Sequence, residues 1–204
     1  MTYEDIVNEL GNIRLYIIDN YSKMTQSEIY ELYRRYVRLS MFISSNNPSF
    51  DEKKYMYFGG NCYCYALMMM TPSAFIEGYE NGIRNDNSLP STLCHNVGFL
   101  SDSKYSLKLS MLLKNLKNDL DFLGIEYYDT DFYSENKHGG YKISLYYKAM
   151  QDFHFIRQNI DKKWSHKLGY SDTIDIITPK YNILGYTNVG TFEIVKPVIR
   201  ELHK

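Results

Sequence analysis

The apolar period changes once along this 204-residue chain, and that change constrains the fold more than any other feature. Up to Leu123 the spacing is helical. Leu109, Leu112, Leu113, Leu116, Leu120 and Leu123 recur every three or four positions in a helix expected over 104–123, and Gly124 stands where a left-handed cap belongs. After a polar, turn-rich stretch from Asp129 to Gly140 the period becomes two. Tyr141-Lys142-Ile143-Ser144-Leu145-Tyr146-Tyr147 alternates, and Phe153–Gln158, Trp164–Lys167, Thr173–Ile177 and Thr191–Val195 read as further strands. Turns are expected at 159–163 and at Asn188-Val189-Gly190. Helices followed by a run of antiparallel strands predict an α+β fold.

Two more helices precede these. Ile6, Leu10, Ile13 and Ile17 mark one over 3–20, weakened by Gly11. Thr25-Gln26-Ser27-Glu28 is a capping box that opens a second over 25–43, with Ile29, Leu32, Tyr33, Tyr36 and Ser40 on one face. Ser44-Ser45-Asn46-Asn47-Pro48-Ser49 then breaks the chain. This divides it into an N-terminal helical segment, 1–50, and a main domain, 51–204. The segment fits a subdomain, a lid or part of the main core equally well. Residues 77–103 read as a long irregular loop of the kind that carries function or moves.

Composition excludes some functions. Lys plus Arg is 23 and Asp plus Glu is 24, so the clustered excess cation of a broad nucleic-acid surface is missing. No apolar run approaches the roughly 18 residues of a membrane span. The acidic N-terminus does not read as a signal peptide. Three cysteines, Cys62, Cys64 and Cys94, build no disulfide framework, so reduced thiols are expected. The 21 tyrosines fit either a compositional bias shared with Ile, Lys and Asn or a sugar- or peptide-binding face.

Chemistry concentrates at Gly59-Gly60-Asn61-Cys62. Two glycines break the chain, an Asn follows, and Cys62 opens an apolar helix expected to run to about Met70 before Thr71-Pro72. The dipole and free N–H groups of a helix N-terminus favour a thiolate. His154 and His166 flank the 159–163 turn. With Gln158 opposite Trp164 they become diagonal neighbours on one face, roughly 7–8 Å apart at the backbone. A thiol, a base and a polar group that orients the base form the logic of nucleophilic catalysis. Cys62 alone would be a small buried hydrophobe. Zinc on Cys62, Cys64, His154 and His166 is set aside, because thiols two places apart on a helix diverge by about 200°; no metal or other cofactor is expected. Cys94-His95 and His138 read as incidental loop residues. Arg157 and Lys167 fit either a solvated strand face or a contact for a substrate carboxylate. Trp164 is expected to pack under the hairpin, with substrate stacking as the other reading.

These residues resemble the papain-like cysteine hydrolases, specifically the NlpC-type peptidoglycan peptidases. In that family a Tyr-x-Tyr-Gly-Gly-type stretch leads into the nucleophile, and Tyr55-Met56-Tyr57-Phe58-Gly59-Gly60-Asn61-Cys62 is similar to it. The resemblance is greater still to a group of uncharacterised bacterial and phage proteins with papain-like features, in three motifs: Asn61-Cys62-Tyr63-Cys64-Tyr65-Ala66-Leu67, Asp152-Phe153-His154-Phe155-Ile156-Arg157-Gln158, and Trp164-Ser165-His166-Lys167-Leu168-Gly169. It covers roughly residues 55–195. It implies a cysteine-bearing helix packed on an antiparallel sheet, with Cys62 as nucleophile, His154 as base and His166 as its orienting partner. The Cys62 N–H, joined by the Tyr57 hydroxyl, would bind the oxyanion, and Arg157 and Trp164 would meet the substrate. The implied activity is amide or peptide hydrolysis through an acyl-thioester, on peptide or peptidoglycan-like substrates. The setting stays unknown from the sequence; without a signal peptide the expectation is the cytoplasm of the producing cell or a phage particle, and charge and hydropathy predict no nucleic-acid or membrane partner. Bulky Tyr63 follows the cysteine where the peptidases carry a small residue. That departure keeps two alternatives open, a structural or interaction protein on the same fold and an intracellular protease or deamidase.

Overall fold

The computed structural model describes residues 1–43, 48, 60–69, 96–168, 174–178, 182–183 and 185–197. Among the described residues four α-helices come first: α1 (Tyr3–Asn20), α2 (Gln26–Met41), α3 (Cys62–Ala66) and α4 (Leu109–Leu123). Seven strands follow: β1 (Glu126–Asp129), β2 (Tyr141–Lys148), β3 (Asp152–Gln158), β4 (Trp164–Lys167), β5 (Ile174–Ile177), β6 (Asn182–Ile183) and β7 (Tyr186–Val195). They make one antiparallel sheet ordered β1-β7-β2-β3-β4-β5, with β6 added alongside β7. The class is α+β with N-terminal helices, as the change of period predicts.

Local chemistry explains most boundaries. Thr2 and Asp5 form a capping box on α1, and Thr25 and Glu28 form one on α2. Gly124, at φ 70°, ends α4 in the left-handed region. Three boundaries differ from the sequence reading. α4 begins at Leu109 rather than 104, from Lys108 without a side-chain cap. α3 stops at Ala66 rather than near Met70. Met68 turns to φ 54°, the Met69 N–H closes on the Cys64 carbonyl at 2.9 Å, and the Tyr141 hydroxyl donates to the Ala66 carbonyl at 3.1 Å. A run buried on every side carries no periodic mark of its end. Asn188-Val189-Gly190 is no turn but the interior of β7, where the register against β2 shifts between Leu145 and Tyr146. That irregularity takes in one extra residue, which is what a β-bulge does.

The sheet has two unlike faces. Odd positions of β2 and β3, including Ile143, Leu145, Phe153 and Phe155, join α3 and α4 in the main core. The same continuous cluster takes in Ile6, Leu10, Ile13 and Ile17 of α1 and Tyr33 and Val37 of α2. Residues 3–41 therefore share the main core. On the other face Tyr146, Ile156 and Trp164 form a small second cluster.

Candidate active site

Asn61 places Cys62. Its side-chain oxygen accepts the N–H groups of Tyr63 and Cys64 at 3.0 Å each, an N-cap that makes Cys62 the first residue of α3. Two tyrosines then clamp the helix. Tyr63 turns into the core, packs on Phe155 with ring centroids 5.0 Å apart, and donates its hydroxyl to Asp119 on α4 at 2.9 Å. Asp119 also accepts from Gly98 N, Ser101 N and Ser101 Oγ, so a buried carboxylate ties α4 to both α3 and the 97–101 turn. The Tyr65 hydroxyl meets Ser165 Oγ at 2.6 Å, and Ser165 in turn donates to Asn159 Oδ1 at 3.0 Å. The bulky residue after Cys62 is thus directed away from the sulfur and towards α4.

The histidines come from the opposite face of the sheet. β3 and β4 pair at Gln158–Trp164 and Arg157–Ser165, the register expected from sequence, and there the ladder ends. His154 and His166 lie beyond it, on the face of Ile156 and Trp164. Their rings meet edge to face, with His154 Nε2 and His166 Nδ1 2.8 Å apart. The Phe155 backbone N–H acts on the Cys62 thiol, favouring its ionised form. The residue next to His154 therefore acts on the sulfur at the tip of α3.

Burial controls the charges. Cys62 is 5% exposed, and desolvation pushes its thiol up to about 12. The Phe155 and Tyr63 N–H groups and Lys167 oppose that rise, while Asp152 adds to it. His154 is drawn down to about 4, first by burial and then by His166, against the pull of Asp152. His166 is lowered by burial, with Asp175, its cross-strand partner, opposing. The thiol and both imidazoles therefore rest neutral at pH 7. The thiolate expected from a helix N-terminus is not favoured, because a five-residue helix sums few peptide dipoles and desolvation outweighs them.

Two residues read as possible substrate contacts lie inside the fold. Arg157 is fully buried, not on a solvated face. Its guanidinium lies 4.0 Å from the Tyr65 ring centroid and donates to the Tyr65 carbonyl at 3.3 Å, close to the end of α3. Lys167 is buried as well. Trp164 is stacked on Phe132 with centroids 4.2 Å apart, in the second cluster, so its packing reading holds and its ring face is already occupied. Cys64 is a buried core thiol. His138 is an exposed turn residue stacked on Tyr128. Tyr57, Cys94 and His95 lie outside the described residues. Among the described residues no three His, Cys, Asp or Glu side chains gather as metal ligands. None of the described helices is long and apolar enough to cross a membrane.

Two groups carry no site role in the sequence reading, where Asp152 is a strand-end turn residue and Tyr186 has no part. Asp152 opens β3 and shares the face of His154; its Oδ1 accepts the Phe153 N–H at 2.8 Å and its Oδ2 the Tyr186 hydroxyl at 2.7 Å. The Tyr186 ring lies 6.4 Å from that of His154. An aspartate two places before a strand histidine is a signal that alternation could have exposed. Nothing in the sequence brings Tyr186 to it. Comparisons with protein families, with curated proteins and with solved structures find no match for this chain.

Proposed function

We propose that the chain is a cysteine hydrolase of papain-like type that cleaves an amide or peptide bond through an acyl-thioester. The observation that carries this reading is the 2.8 Å contact between His154 and His166, on the strand whose Phe155 N–H acts on the Cys62 thiol. A base acting on Cys62 needs a bare ring nitrogen. With His154 Nε2 engaged by His166, that nitrogen is Nδ1. His154 then carries its proton on Nε2 and donates it to His166 Nδ1, which fixes His166 as the Nε2–H tautomer. His154 Nδ1 takes the Cys62 proton as sulfur attacks the carbonyl carbon. The same proton passes to the departing amine nitrogen, leaving a thioester that water hydrolyses with His154 again as base. In the resting site this transfer runs uphill, from a thiol held at about 12 to an imidazole drawn down to about 4, so it accompanies sulfur attack rather than preceding it. Cell-wall peptides are the proposed substrates, on the resemblance of the three motifs to NlpC-type peptidases, and an intracellular protein amide is the other substrate on the same chemistry.

The test is turnover of peptidoglycan-derived peptides and of a protein-amide panel by the full chain. Cys62→Ala is expected to abolish turnover, His154→Ala to lower it about 10³-fold, and His166→Ala to lower it on the order of tenfold. One observation favours a second reading, an interaction protein on the same fold: Cys62 is 5% exposed and holds its proton. Absence of both turnover and labelling by a thiol-directed activity probe would decide for that reading.

A further inference from the structure

We propose that Tyr186 is a positioning residue of the thiol site, acting on Cys62 through Asp152. The sheet sets up the pair. Lys148 at the end of β2 stands opposite Asp152 of β3, and the neighbouring Tyr147 pairs with Thr187 of β7. Tyr186 therefore starts one place further along the same row, on the far side of β2. To meet Asp152 its side chain crosses about two strand spacings, roughly 10 Å. It arrives with its hydroxyl 2.7 Å from Asp152 Oδ2, while the Phe153 N–H holds Oδ1. Both carboxylate oxygens are thus fixed, two residues from His154 and on its face.

The carboxylate stands against the thiolate. Among the described charged groups around Cys62, Asp152 opposes ionisation of the sulfur and buried Lys167 favours it. His154 is held neutral on β3, His166 likewise on β4 with Asp175 across from it on β5, Lys148 faces Asp152 from β2, and α3 itself carries no charge. The Tyr186 hydroxyl feels both Asp152 and Cys62. By donating to Asp152 it takes up part of the charge that keeps the Cys62 proton on sulfur, and it stops the carboxylate from swinging closer. Tyr186 thus sets how readily the thiol ionises without touching the reacting bond.

The proposal rests on the thiol-hydrolase reading only for its effect on turnover. Its test needs no substrate: the second-order rate of iodoacetamide with the full chain between pH 7 and 9, read at Cys62 by peptide mass spectrometry. Each unit of thiol pKa changes that rate about tenfold at fixed pH. Asp152→Asn is expected to raise the rate at pH 8 by about tenfold, and Tyr186→Phe to lower it about threefold. The double variant is expected to react at the Asp152→Asn rate, because without the carboxylate the hydroxyl has nothing to act through. An equal threefold loss in the Asp152→Asn background would mean that Tyr186 acts by packing, and would overturn the proposal. So would an unchanged rate in Asp152→Asn, or a rate flat with pH, which means that opening of the site limits reaction rather than ionisation. An inert substrate panel sinks the hydrolase reading and leaves this cycle measurable, whereas an additive cycle sinks the Tyr186 role and leaves hydrolysis untouched.

Discussion

At the scale of single residues the site is governed by desolvation. His154 binds a proton at about 4 in the folded protein and near 6.5 when unfolded. Between those values the unfolded chain holds the extra proton, so stability is full above about pH 6.5 and falls as pH drops towards 4. The loss from this one group reaches about 3 kcal/mol. Urea unfolding of wild type and His154→Gln at pH 7 and pH 4.5 measures it: the variant is expected to show a shallower acid decline. Equal declines would mean that other groups carry the acid sensitivity. Cys62 acts at the opposite end of the scale. Its raised thiol stays protonated in the fold while the unfolded thiol ionises above about 9, so its contribution is lost as pH climbs from 9 towards 12.

At the scale of elements, α3 is too short to stand alone, and tertiary bonds hold it where it is. Tyr63→Phe leaves Asp119 with three donors and removes one charge-assisted bond. It is expected to cost about 1–3 kcal/mol in chemical unfolding while Cys62 labelling stays near the wild-type rate, because the ring remains and the hydroxyl points away from the sulfur. A large change in labelling would mean that Tyr63 shapes the site directly. The β1–β7 edge depends on a second buried carboxylate. Glu193 accepts the N–H groups of Lys137, His138 and Gly140 and so folds the 130–140 segment back on the sheet. A Cβ at Gly140 would lie 2.0 Å from the Ile194 carbonyl oxygen. Backbone has to move to admit it, so Gly140→Ala is expected to lose more than about 2 kcal/mol, seen as an earlier denaturation midpoint with the slope unchanged.

At the scale of the whole molecule, one buried cluster joins the N-terminal helices to the sheet. Removing residues 1–43 strips away the side chains of Ile6, Leu10, Ile13, Ile17, Tyr33 and Val37, at about 1.5–3 kcal/mol for each large apolar side chain. That approaches the entire stability of a domain. The truncated chain is expected to lose its cooperative thermal transition in circular dichroism. A sharp transition near the wild-type temperature would show instead that residues 60–197 fold as a unit of their own. The tyrosines also find their place at this scale. Tyr33, Tyr63, Tyr65, Tyr141 and Tyr146 are buried, and Tyr63, Tyr65 and Tyr141 spend their hydroxyls on α4, β4 and the end of α3. These rings are internal clamps and not a recognition face.

Local interactions made much of this legible in the sequence. Capping boxes, a leucine stripe, a left-handed glycine and alternation of period two act within a few residues, so they determined α1, α2, α4, the main strands and the Gln158–Trp164 register that brings His154 to His166. What acts across the fold could not be read that way. Alternation does not say which neighbour a strand face meets, so Arg157 looked solvent-facing and is instead clamped on Tyr65. The position of Cys62 at a helix start argued for a thiolate, yet the charge state depends on how much water the finished structure removes, and only burial decided that. Asp152 was visible as a residue two places from His154. Its partner Tyr186 was not, because a contact that crosses β2 exists only once three strands have paired.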